Sequence, residues 1–270
     1  MLRTRLLTAA VALPAVVWLI FAGPLWAFAG VVVALTALGL GELVAMAFPE
    51  RPGTQALTVL AGLAFAAVVV LDRPDLVGPV LVLVIVGGFL FALACDDLDR
   101  GVRQVTHGLV AAIYVGFLLP HAVSLRALPG GERWVFLAIA AAMAADTGGY
   151  FAGRAWGKTP LAPRISPKKT VEGAVGGLLG STLMAGLVLV LLPPPGYDLI
   201  AALIAGPAIG IISQAGDLIE SMLKRVYGAK DSGWIIPGHG GVLDRIDSLV
   251  LPLVFTYYLG AGMLFEIVGV

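Results

Sequence analysis

The chain has little charge, a single cysteine and three histidines among 270 residues. Charged residues are 13% of the sequence, about half the share usual in soluble domains. A water-soluble protein of this size could not cover its surface with so few. Basic and acidic residues balance at 17 each, which excludes the basic excess that duplex nucleic acid requires. Cys95 alone can form neither an internal disulfide nor a cysteine-based zinc site, so it leaves the redox compartment unread. No internal repeat and no low-complexity tail is visible. What the chain does have is hydrophobic residues, 59% of the total. The bilayer is the natural solvent for such a composition.

A spanning helix needs about 20 mostly apolar residues. Nine runs are read as spans: 6–22, 26–48, 55–71, 76–94, 105–119, 135–150, 171–192, 199–219 and 242–268. The expected fold is an all-α, polytopic integral membrane protein of about nine transmembrane helices. It forms one continuous membrane domain, with spanning helices over 1–145 and the polar motifs over 146–270. Arg3 and Arg5 before an apolar run, with Ala27-Phe28-Ala29 downstream, also suit a cleaved leader. The length of that run and the spans that follow favour a first transmembrane helix. Gly173, Gly176, Gly177 and Gly180 form a stripe of small residues, read as close helix packing in lipid.

Lys and Arg are distributed unequally over the connections. With the N-terminus inside, 13 fall on the inner side and 3 (Arg73, Arg126, Arg133) on the outer, with Arg245 at the mouth of the last span. By the positive-inside bias, the polar loops 151–170 and 220–241 face the cytoplasm.

Ionisable residues inside spans are costly and mark functional or paired positions. Asp146 lies near the end of the sixth span and Asp217 near the end of the eighth. Asp217, Glu220, Ser221 and Lys224 are spaced to share one helix face, as are Asp244 and Asp247. Carboxylates from two helices can thus converge at the membrane surface. Hard oxygen ligands of this kind suit Mg²⁺, held by one or two carboxylates together with substrate phosphates. The bland alternative is an acid–base cluster that pins helices, with Arg225 and Arg245 as partners. Ten ionisable side chains in the 31 residues from Asp217 to Asp247 fit an ordinary turn poorly.

Between those acids lie Lys230-Asp231-Ser232-Gly233 and Pro237-Gly238-His239-Gly240-Gly241. Glycines there let backbone N–H groups approach an anion, and the loop runs into a helix start. A second polar loop reads Ser166-Pro167-Lys168-Lys169-Thr170-Val171-Glu172-Gly173. Its adjacent lysines and two hydroxyls suit a polyphosphate, although from this loop alone a topology-setting anchor is the better reading. Gly157-Lys158-Thr159 ends like a P-loop, but Ala152 stands where that motif needs its first glycine. Glu42, in the second span, is read as a paired structural carboxylate. Asp96, Asp97 and Asp99 are read as solvated, and His107 and His121 as interfacial.

The run from Ser221 through Lys224-Arg225, Lys230-Asp231-Ser-Gly, Pro237-Gly-His239-Gly-Gly and Asp244-Arg245-Ile-Asp247 resembles the signature of the phosphatidate cytidylyltransferases, or CDP-diacylglycerol synthases. Asp146-Thr-Gly-Gly-Tyr150 with Gly153-Arg154, the 166–173 loop and Gln214-Ala-Gly216-Asp217 resemble the family's other polar motifs. Val171 departs from the pattern, where Trp is common. The likeness is specific over 146–247 and general over 1–145.

This resemblance implies a reaction in which CTP and phosphatidate give CDP-diacylglycerol and pyrophosphate. It implies an inner-membrane enzyme with its site facing the cytoplasm, a Mg²⁺ ion, a second monovalent cation such as K⁺, and a homodimer. Carried over by residue, Asp217 and Asp244 are the implied metal ligands, Asp247 a supporting acid and Lys224 a catalytic phosphate contact. Lys168 and Lys169 are implied phosphate contacts. Ser166, Thr170, Glu172, Ser221, Arg225, Lys230, Asp231, His239, Arg245 and Asp146 complete the implied substrate-binding set. Two other readings stay open: a cation-coupled transporter using Asp146, Asp217 and Asp244, and a CTP-dependent kinase of a lipid or isoprenoid alcohol with His239 or Asp231 as base.

Overall fold

A computed structural model describes residues 2–195, 199–235 and 240–262. Long runs of Val, Leu, Ala and Gly in a solvent without hydrogen bonds must satisfy their own backbone, and helices do so locally. The chain accordingly folds into α1 (Leu2–Phe21), α2 (Leu25–Ala47), α3 (Pro52–Val70), α4 (Val77–Leu93), α5 (Leu98–Ala111), α6 (His121–Ala127), α7 (Gly131–Trp156), α8 (Val171–Leu191), α9 (Leu199–Val226) and α10 (Leu243–Gly260). The π-helical stretch Ala112–Phe117 joins α5 to α6, and the three segments together make one candidate crossing, Leu98–Ala127. Among the described residues, six helices are long and apolar enough to cross a membrane. The outer surface is made for lipid: Leu183 and Val190 of α8 are 75% and 78% exposed. Membership of the all-α, polytopic membrane class is therefore plain, whereas a count of nine crossings is more than these six establish.

Two differences from the expected elements have physical causes. Helices run on past their apolar stretches. The fifth begins at Leu98 because Asp97 caps it, accepting from the Arg100 N–H at 3.1 Å. The eighth expected span, α9, continues through Asp217 to Val226. Hydropathy marks where lipid ends; backbone hydrogen bonding, which continues into water, decides where a helix ends. The second difference is a small antiparallel hairpin, β1 (Pro160–Ala162) and β2 (Ser166–Thr170), in a segment expected to be loop. Its register pairs Pro160 with Thr170 and Ala162 with Ser166, and the Val171 N–H closes it onto the Thr159 carbonyl at 2.9 Å.

Helices α7 and α8 touch backbone to backbone. A Cβ on Gly176 would sit 2.8 Å from the Gly148 carbonyl oxygen, and one on Gly180 2.6 Å from that of Ala144. The glycine stripe is therefore a packing surface, as its spacing suggests. Ser181 donates to the Gly206 carbonyl at 2.6 Å and Gln214 to that of Ala174 at 3.2 Å, locking α9 against α8. The buried centre, including Leu40, Leu43, Val115, Leu243 and Ile246, joins α2, the π-helical stretch and α10.

The connections segregate to two ends. At one end Arg126 reaches the Ile20 carbonyl (2.8 Å) and Arg133 that of Pro193 (2.7 Å). At the other, Arg225 reaches the Ile165 carbonyl (3.3 Å), joining the hairpin to the end of α9. Both lysine-bearing loops thus lie at the same end of the bundle. His121 departs from its expected interfacial place. It is buried, its Nδ1 lies 2.9 Å from the Phe117 carbonyl, and Phe117, Tyr257 and Tyr258 surround it. The π-helical stretch and α10 enclose it, which an isolated histidine in sequence does not reveal.

Candidate active site

Four elements bring charge to the hairpin end of the bundle: α7, β2, α9 and α10. The face predicted on α9 is real. Ser221 donates to Asp217 Oδ1 at 3.4 Å and Lys224 Nζ lies 2.5 Å from Glu220, each one turn apart. Across the helix interface Lys224 also binds Asp244 Oδ1 at 2.6 Å. Lys169 of β2 forms an ion pair with Asp217. Each of the two carboxylates expected to hold a metal is therefore met by a lysine from another element.

The acids gather in two groups. Asp146, Asp217 and Asp247 lie close enough for their charges to interact, and Asp146 is within hydrogen-bonding reach of the Ser248 hydroxyl. Glu220 and Asp244 share Lys224. Five carboxylates thus surround two lysines. In a partly dry setting neighbouring like charges repel (about 4 kcal/mol for a pair 4 Å apart at an effective dielectric of 20), so the site favours added positive charge. Glu220 is fully buried, and neither of its oxygens has a hydrogen bond of good geometry. The donors are hard oxygens, which suits Mg²⁺. Among the described residues no group of three His, Cys, Asp or Glu is placed to hold a metal by itself. Two carboxylates completed by phosphate and water oxygens would be the fitting arrangement.

Beside this cluster opens a cavity of about 440 Å³. Asp146, Tyr150 and Arg154 of α7 line it, together with Lys168, Lys169 and Thr170 of β2, Gly173 of α8, and Gln214 and Asp217 of α9. The hairpin that carries the lysines is fastened by Glu172. This carboxylate accepts from the backbone N–H groups of Lys158 (3.1 Å) and Thr159 (3.2 Å) and from the Thr159 hydroxyl (3.0 Å). Thr170 caps α8 by accepting from the Gly173 N–H at 3.1 Å. Glu172, expected among the substrate contacts, is thus occupied in holding the hairpin against the start of α8. Arg225 does similar work, bonding the carbonyls of Ile165 and Ala229, both at 3.3 Å.

The remaining expected residues lie around these. Ser166 begins β2 and pairs in register with Ala162. Lys230 and Asp231 are exposed in the turn after α9, and Arg245 is exposed on the first turn of α10. His239 lies outside the described residues. The Gly157–Thr159 sequence forms the turn into the hairpin, not a phosphate loop.

Two side chains reach the site from the N-terminal half. Tyr114, on the π-helical stretch, donates its hydroxyl to the Gly216 carbonyl at 3.4 Å and lies near Asp217, Glu220 and Asp247. Glu42 of α2 accepts from the N–H groups of Val242 (2.9 Å) and Leu243 (2.8 Å) and from the Ser232 hydroxyl (2.9 Å). Nothing in the sequence around Tyr114 signalled this. Glu42 did carry a signal, as a carboxylate within an apolar span. Its partners are backbone donors at a helix start, not a cation.

A polytopic helical bundle that gathers lysines, carboxylates and a solvent-open cavity at one end has the makings of a membrane enzyme acting on phosphates. The comparisons define it further: residues 3–262 match the model of the cytidylyltransferase family, and the chain belongs to that family. It is a nucleotidyltransferase. A phosphatidate cytidylyltransferase of Brucella suis is 38% identical over 277 residues, covering 96% of this chain and 93% of that one. One of Pseudomonas aeruginosa is 37% identical over 97% of this chain and 98% of its own length. A third, from Bacillus subtilis, is 40% identical over 151 residues, 56% of each chain.

Proposed function

We infer that the chain is a phosphatidate cytidylyltransferase, transferring the CMP moiety of CTP to phosphatidate and so forming CDP-diacylglycerol and pyrophosphate. The observation that carries this reading is the shared cavity, in which the Lys168–Lys169 pair of β2 meets Asp146 and Asp217. A nucleotide triphosphate needs the lysines and a metal–phosphate complex needs the acids.

The chemistry asks for little from a base. A phosphate oxygen of the lipid, already anionic, forms a bond to the α-phosphorus of CTP. The bond from that phosphorus to the bridging oxygen breaks, and pyrophosphate leaves with the electron pair. The barrier lies in bringing two anions together and in stabilising charge on the leaving group. Lys168 and Lys169 bind and orient the triphosphate from the hairpin. Lys224 holds Asp244 in place and adds positive charge at the centre. Asp217 and Asp244, supported by Asp247 and Asp146, would hold Mg²⁺. When bound, that ion supplies charge neutralisation to the triphosphate and the departing pyrophosphate. The rest is positioning. The family resemblance further supports a second, monovalent cation and a homodimer.

The excess of Lys and Arg over the inner connections supports a site facing the cytoplasm from the cell's inner membrane, where CTP is dissolved. The lipid headgroup then approaches along the bilayer surface. The transporter reading calls for carboxylates at mid-membrane in broken helices. Here α9 is continuous from Leu199 to Val226 and its acids lie in the last third. Purified protein in lipid nanodiscs should release pyrophosphate only when CTP, phosphatidate and Mg²⁺ are all present. Release without phosphatidate, or none with all three, contradicts the assignment.

A further inference from the structure

We propose that Glu42 is a positioning residue for the reaction, setting Asp244 through Ser232 and the first turn of α10. The proposal deepens the reading above and rests on it. Glu42 stands on α2, some 200 residues from its partners, and is only 6% exposed. An isolated buried carboxylate is costly unless hydrogen bonds satisfy it. Here every bond comes from the signature segment. Oε1 accepts from the Val242 N–H; Oε2 accepts from the Leu243 N–H and the Ser232 hydroxyl. Helix α10 has no capping side chain of its own at Val242. Glu42 supplies both the acceptors and the negative charge that a helix start favours.

The same contacts run on to Asp244. The Ser232 hydroxyl, while donating to Glu42, accepts from the Asp244 N–H at 3.3 Å. The Ser232 N–H donates to Asp244 Oδ2 at 3.0 Å, and the Gly241 N–H donates to the same oxygen at 2.9 Å. Oδ2 is thereby fixed by two backbone donors, and Oδ1 is turned to Lys224. The glycines of the signature make room for this arrangement. A Cβ on Gly233 would lie 2.6 Å from Glu42 Oε1, and one on Gly241 would collide with Ser232 Oγ and Glu42 Oε2. A residue that only tied α2 to α10 would need neither the Ser232 bridge nor those two glycines. The geometry makes Glu42 the anchor that keeps Asp244 Oδ2 on the backbone donors and Oδ1 turned to Lys224.

The test uses purified full-length protein in nanodiscs and two variants. Glu42→Gln places an amide against backbone donors. Ser232→Ala keeps the Glu42 cap on Val242 and Leu243 and the backbone N–H on Asp244 Oδ2, but removes the hydroxyl that joins Glu42 to the Asp244 N–H. Partners that orient a metal ligand typically matter by about 10–100-fold. Both variants are therefore expected to lose about tenfold or more in kcat and in Mn²⁺ affinity, measured by electron paramagnetic resonance with a non-hydrolysable CTP analogue present. The KM for phosphatidate should stay within about twofold, and Ser232→Ala should unfold within about 3 °C of wild type. If Glu42→Gln does not fold, Ser232→Ala decides alone. Folded variants with wild-type kcat and Mn²⁺ affinity would overturn the proposal, leaving Glu42 as a tie between helices. A wild type that binds Mn²⁺ but makes no CDP-lipid would overturn the reaction instead, and Mn²⁺ affinity would still decide the role of Glu42.

Discussion

Lys224 is the most constrained cation in the site, and replacing it with Met separates charge balance from chemistry. Its side chain is 13% exposed and lies between Glu220, fully buried, and Asp244, 10% exposed. In Lys224→Met, Asp244 keeps the N–H groups of Ser232 and Gly241. Glu220 loses its ion-pair partner in an enclosed place and has no well-formed hydrogen bond to replace it. Removing one member of a buried pair costs about 3–5 kcal/mol. At roughly 2–4 °C per kcal/mol for a chain of this size, the unfolding midpoint should fall by about 6 °C or more. Turnover should fall roughly 100-fold, because Asp244 Oδ1 loses its cation and the centre loses a positive charge aimed at the reacting phosphates. Adding Glu220→Gln removes the stranded charge, so the double variant should recover most of the lost midpoint and none of the lost turnover. Differential scanning fluorimetry in nanodiscs and a CDP-lipid assay read the two effects. A single variant with a wild-type midpoint, or a double variant that recovers activity along with stability, would refute the argument.

Asp217→Ala should abolish CDP-lipid formation while the protein stays folded; near-normal rates would remove it from the metal site. Lys168→Ala should raise the KM for CTP with kcat nearly intact. Lys169→Ala should lower kcat as well, because it also releases Asp217, and steady-state kinetics with varied CTP distinguish the two. Gly180→Ala forces a methyl group against the Ala144 carbonyl, so it should lower stability by about 1–3 kcal/mol without changing the KM for CTP in the folded fraction.

Much of this site could be read in advance because helices impose a simple rule. Asp217, Glu220, Ser221 and Lys224 at intervals of three and four had to share a face, and they do. The two charged loops lie at the same end because α8 and α9 run antiparallel between them, and the Lys169–Asp217 pair joins them. Other features depended on tertiary packing that no local pattern encodes. Glu172 enters the expected site through the family resemblance alone, and no local pattern foretells the three donors from the preceding turn that meet it. Prolines and lysines gave no strand signal over 160–170, but capping at Thr170 and the Glu172 clamp fold that segment back on itself. Tyr114 and the partners of Glu42 were hidden for the same reason: contacts across 100 to 200 residues leave no periodicity.

The central claim is that the α-phosphoryl group, with its cytidine, moves to the lipid. The most direct measurement gives the purified protein CTP labelled at the α- or the γ-phosphate, with phosphatidate and Mg²⁺, and follows the label into the lipid fraction. The account predicts that α-label enters the lipid and that γ-label appears only in pyrophosphate. Transfer of γ-label to lipid would contradict it and make the protein a kinase, and label in neither lipid fraction would remove the enzyme reading altogether.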